Sequence, residues 1–151
     1  MRLAVIGTGL AVLAAAGIWL VLGQGPNEDD AAGPVDIAQG KTLYVENCAS
    51  CHGAELEGQP DWRSPGPDGR LPAPPHDETG HTWHHVDAQL FALTKYGPPK
   101  QLGNGEPYYS NMPAYETVLS DDETIAVLSY IKSKWPAEIR ARHDEMNAQM
   151  P

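Results

Sequence analysis

Apolar residues fall along this chain in distinct patterns, and each pattern predicts an element. Residues 3–22, LAVIGTGLAVLAAAGIWLVL, contain no charge. As a helix they would span about 30 Å, the hydrocarbon thickness of a bilayer. Residues 23–35, GQGPNEDDAAGPV, have no apolar period and read as a flexible linker. Helical spacing begins at Asp36, a candidate N-cap with Gln39 three residues on, and brings Ile37, Gly40, Tyr44 and Cys48 to one face. Between Gly53 and Gly80 the period disappears. Pro60, Pro65, Pro67, Pro72, Pro74 and Pro75 exclude regular helix or strand there and leave an ordered loop. A helix of about ten residues follows, with Thr82 or Asp87 as N-cap, Leu90, Phe91 and Leu93 buried, and Gly97 as its stop. Residues 98–117 return to loop. Ser120 to Glu123 then form a capping box before TIAVLSYIKSKW, where Ile125, Leu128 and Ile131 mark one side and Val127 and Tyr130 the adjoining one. Pro136 breaks or restarts that helix, and the charged tail 136–151 contains nothing that reads as a site.

The apolar start predicts a transmembrane anchor over residues 1–22. The alternative is a cleaved signal peptide with its site near Ala31 to Gly33, but the run is longer than a typical signal core and ends on bulky Trp19 to Leu22. Arg2 precedes the span and Glu28, Asp29 and Asp30 follow it, which places the main domain outside the cytoplasm. Ten basic residues against twenty acidic ones give a formal charge of −10, which disfavours nucleic acid and anionic lipid as partners. A single Phe makes the core thin for one domain.

Both cysteines lie in NCASCHG, residues 47–53. Cys48 and Cys51 with His52 match C-x-x-C-H, in which the sulfurs form thioethers to haem and the histidine ligates its iron. A zinc site lacks its fourth ligand here. A thioredoxin-like pair would open a helix in a βαβ setting, whereas these cysteines close one. A disulfide across two residues would be strained and would close almost no loop. A covalently held haem also supplies the apolar bulk that the core lacks. Trp62, Arg63 and Arg70, in the proline-rich loop, are candidate donors to its propionates.

In the order of its parts, residues 36–135 resemble a class I c-type cytochrome. A first helix ends in Cys48-x-x-Cys51-His52, and a proline-rich loop, a middle helix, Met112-Pro113 and a last helix follow. The resemblance implies an all-α fold of three to four short helices around one haem c, here after an N-terminal transmembrane helix. It also implies that the first and last helices cross at Gly40 and Tyr44 against Val127 and Tyr130. A proline carbonyl, Pro74 or Pro75, would receive the Nδ1 proton of His52. The segment LPAPPHDETGHTWHH is similar to one in small membrane-anchored bacterial cytochromes.

For the second axial ligand, Met1 lies in the anchor and Met146 and Met150 in the tail, which leaves Met112 as the methionine in a loop between helices. His76, His81, His84 and His85 are the competitors. The last three are also a lesser candidate for a separate metal site. With His52 and Met112 on the iron, the expected role is single-haem electron transfer between redox complexes at the outer face of the cell membrane, on the periplasmic or extracytoplasmic side. Its partners would be a donor and an acceptor protein. The alternative is a fixed haem c subunit of a larger oxidase or dehydrogenase. No paired carboxylates or nucleophile-base arrangement supports an enzyme.

Overall fold

The computed structural model describes residues 35–101 and 105–150. The expected anchor, and the linker up to residue 34, lie outside the described residues. Among the described residues the elements are helical: α1 Ile37–Asn47, the single turn α2 Ala49–His52, a 3-10 turn Thr82–His84, α3 Asp87–Tyr96, α4 Asp121–Ser133 and α5 Ala137–Gln149. One isolated antiparallel bridge joins Gln101 to Pro107. No described helix is long and apolar enough to cross a membrane.

The carboxylate of Asp36 accepts from the N–H groups of Ala38 and Gln39 at 2.9 and 3.0 Å and so starts α1. Its buried residues are Gly40 and Tyr44. Ile37, expected on the same face, is 40% exposed because it precedes the point where α4 crosses. At that crossing a Cβ on Gly40 would overlap the Ala126 carbonyl and come within 3.1 Å of Tyr130 Cβ. Only glycine lets the two backbones approach this closely. The near partner at Gly40 is thus Ala126, where Val127 was expected, while the rings of Tyr44 and Tyr130 meet 5.5 Å apart as anticipated.

Ser120 and Glu123 cap α4 reciprocally, as the sequence predicts. The buried side of α4 runs through Thr124, Ala126, Val127, Leu128, Tyr130 and Ile131, and Ile125 is turned outward at 41% exposure. Tyr44, Leu56, Leu119, Val127, Tyr130, Ile131 and Trp135 form the central cluster.

The C-terminal residues form more than a solvated tail. On α5, His143 is 1% exposed, donates from Nε2 to the His85 carbonyl at 3.0 Å and meets Trp135 edge-on at 5.0 Å. Asn147 Oδ1 accepts from the Asp87 N–H at 2.8 Å. That bond supplies an orphan donor of α3, whose own N-cap, Val86, makes no side-chain bond. Neither expected cap, Thr82 or Asp87, serves. Asp87 instead pairs with Lys132 of α4 at 2.7 Å.

Residues 53–80 form the ordered, irregular loop expected. Leu56, at φ 71° and 2% exposed, accepts at its carbonyl from the N–H groups of His76 and Asp77. Gln59 and Ala73 are joined by two bonds of 2.9 Å, one between backbones and one through the Gln59 side chain. The excursion of residues 60–72 is therefore closed at its base.

Candidate functional site

Around one helical turn, the N–H groups of Cys51 and His52 both point to the Cys48 carbonyl, at 3.1 and 2.9 Å. This winds the two thiols and the imidazole into a single short segment. Cys48 is half-buried and Cys51 exposed, and neither is in a disulfide. Burial, and then the neighbouring Cys51, push the Cys48 thiol up to about 11.

His52 is 8% exposed, and its Nδ1 donates to the Pro74 carbonyl at 2.9 Å. Of the two candidate prolines, Pro74 is therefore the acceptor. Two glycines permit this placement. A Cβ on Gly58 would lie 2.7 Å from the Pro74 carbonyl carbon and overlap Pro75, and one on Gly80 would overlap the Pro75 carbonyl. A carbonyl can only accept, so Nδ1 carries the proton and the Nε2 lone pair is free to ligate a metal. Burial pulls the His52 imidazole below the usual histidine range, and the Pro74 bond opposes that pull. A neutral imidazole is the form that binds metal.

Two tyrosines tie down the ends of the motif. Tyr44 Oη donates to the Gly53 carbonyl at 2.8 Å, and Tyr115 Oη donates to the Asn47 carbonyl at 2.7 Å. The Tyr115 N–H also points at the Thr94 and Lys95 carbonyls at the end of α3. Met112 stands three residues before Tyr115, half-buried, with its N–H bonded to Ser110 Oγ at 3.0 Å. The loop carrying Met112 is thus fastened to the residue that precedes Cys48. Sequence reasoning missed Tyr115, since one tyrosine in a loop gives no local signal.

The remaining histidines have separate surroundings. His76 stacks on His52, with centroids 4.0 Å apart and planes 19° apart, and its Nδ1 lies 2.7 Å from Thr82 Oγ1. His81 stacks on Trp62 at 5.3 Å, His84 on Trp83 at 3.7 Å, and His85 meets His81 edge-on. Among the described residues no group of three or more His, Cys, Asp or Glu is placed to hold a metal ion, so His81, His84 and His85 do not form the lesser metal site.

Of the donors considered for propionates, Arg63 lies 4.0 Å over the Trp62 ring and Arg70 pairs with Asp68 in an exposed turn. Among the described residues the buried donor without a partner is another one, Trp83 Nε1. An orphaned buried N–H is costly unless something accepts from it. Trp83 packs on the same core as Cys48 and Ala49. Two free thiols, an imidazole with an available lone pair and an unpaired buried donor on one core together fit a covalently attached haem and its carboxylates.

Comparison with known proteins agrees with that fit. The family model for cytochrome c matches residues 37–135. Cytochrome c-555 of Prosthecochloris aestuarii is 34% identical over 86 residues, which cover 50% of this chain and 87% of that protein.

Proposed function

Because this chain belongs to the cytochrome c family, as a class I haem c protein of electron transfer, we propose that it is a membrane-tethered shuttle passing single electrons between redox complexes on the extracytoplasmic side of the cell membrane. The observation that carries the reading is the His52 to Pro74 bond, which holds one nitrogen of the imidazole and leaves the other for iron. Haem, when bound, supplies a one-electron iron couple. Cys48 and Cys51 would hold it covalently, and His52 and Met112 would ligate its iron. Tyr115 supports the assignment of Met112, because it fixes that loop to the carbonyl of Asn47. Two ligands from the chain would leave the iron without a site for oxygen or peroxide, which favours outer-sphere electron transfer over catalysis.

The tether rests on the uncharged residues 3–22 and on the 13 residues, 23–35, that follow. Fully extended, that linker reaches about 43 Å, at roughly 3.3 Å per residue. As a coil its ends lie nearer ~20 Å apart. Such a reach keeps the local concentration at membrane partners high while each contact stays weak and brief. The acidic balance favours partners with a basic docking face.

Deleting residues 25–33 tests the shuttle. Electron delivery to membrane complexes should slow while the haem spectrum and potential hold. Full-rate delivery by the shortened, still anchored and haem-loaded protein would instead favour a rigidly docked subunit of a larger oxidase or dehydrogenase.

A further inference from the structure

The bond from His52 Nδ1 to Pro74 fixes where that nitrogen points, yet one hydrogen bond leaves the ring free to rock about its own direction. A second restraint has to act on the face of the ring. His76 lies there, 4.0 Å from centroid to centroid and within 19° of parallel.

His76 is itself held by its backbone and by Nδ1. Its N–H donates to the Leu56 carbonyl at 2.8 Å, and its carbonyl accepts from Trp135 Nε1 at 2.7 Å. Nδ1 contacts Thr82 Oγ1 at 2.7 Å, and the Thr82 hydroxyl lies 3.4 Å from the Pro75 carbonyl. The ring of Tyr44 closes the edge at 6.5 Å and 71°. An aliphatic side chain at this position would fill space but offer no polar atom by which its orientation is set. Partners in the outer shell fix the ring orientation of a ligating histidine.

We propose that His76, anchored by Thr82, is the positioning residue that sets the plane of the His52 imidazole over the haem, and through it the electronic asymmetry of the iron. The proposal rests on the reading that His52 is an axial ligand. In the ferric state the plane of an axial imidazole governs how unpaired spin spreads over the macrocycle, and the haem methyl resonances report it.

The test uses the intact holoprotein and its His76→Leu, His76→Phe and Thr82→Val variants. NMR of the unsubstituted protein with labelled histidine first identifies the ligating residue. If it is not His52, the axial reading fails and the proposal fails with it. If His52 ligates, His76→Leu should reorder the ferric haem methyl resonances and shift the midpoint potential. Thr82→Val and His76→Phe, which each keep a flat ring but lose the contact between Nδ1 and Thr82, should both move them part of the way. Should His76→Leu not load haem, the displacement of the methyl pattern in Thr82→Val and His76→Phe decides. Methyl patterns unchanged in the variants that load haem, with His52 still ligating, would overturn the positioning role alone. Loss of stability without a change in methyl pattern would likewise reduce His76 to packing.

Discussion

Replacing Met112 by alanine takes away one sulfur and leaves Pro113 and both ties of Tyr115 in place. The loop should therefore keep its course while the sixth coordination position opens. The Met112→Ala holoprotein is expected to lose its six-coordinate low-spin spectrum and to fall in reduction potential, since thioether ligation raises it. An unchanged spectrum and potential would exclude Met112 as ligand. At this scale the covalent chemistry is legible from sequence, because thioether attachment demands fixed spacing and Cys48, Cys51 and His52 supply it. The choice of Pro74 over Pro75 is not legible. It depends on how closely Gly58 and Gly80 let two distant turns approach, which is a fact of packing. Trp83 escapes for the same reason: that its N–H is buried and unpaired shows only once its surroundings are assembled.

Helix starts divide into those encoded within a few residues and those completed from elsewhere. The capping box of α4 lies entirely in Ser120 to Glu123 and is readable in the sequence. The start of α3 is completed by Asn147, 60 residues further on, so its local candidates misled. Asn147→Ala removes that acceptor together with the bond from its amide to His143 Nδ1 at 3.0 Å. The loss should be about 1 to 2 kcal/mol, in the range for a lost cap. Denaturant unfolding of the holoprotein measures it, and the haem spectrum should not move. The same long-range effect explains α5. Its sequence reads as a charged tail, yet one face carries His143 into the protein between Trp135 and the His85 carbonyl. Ile125 errs in the opposite direction, since helical spacing gives a stripe but not which edge of it the neighbouring helix covers.

For the molecule as a whole, the crossing of α1 and α4 makes stability depend on alkaline pH. Tyr44 is 0% exposed, and burial, ahead of its acidic neighbours, raises its phenol above the ordinary value. The folded chain thus keeps a proton that the unfolded chain releases near pH ~10. The stabilisation is whole below that pH and declines as pH rises through it. Tyr44→Phe should flatten the alkaline slope in unfolding experiments from about pH 8 to about pH 11. At neutral pH it should cost about 1 kcal/mol for the lost bond to Gly53. The Gln59 to Ala73 clasp has a different consequence. Apart from the stack of Trp62 on His81, it makes residues 60–72 a removable appendix, since both ends of the chain leaving it are fixed before they reach Leu56 or Pro74. Exchanging the appendix for a short glycine-serine bridge should therefore yield a trimmed protein with its original colour and potential. The same stretch is where this scaffold would accept a foreign peptide, such as a recognition tag or a second redox group.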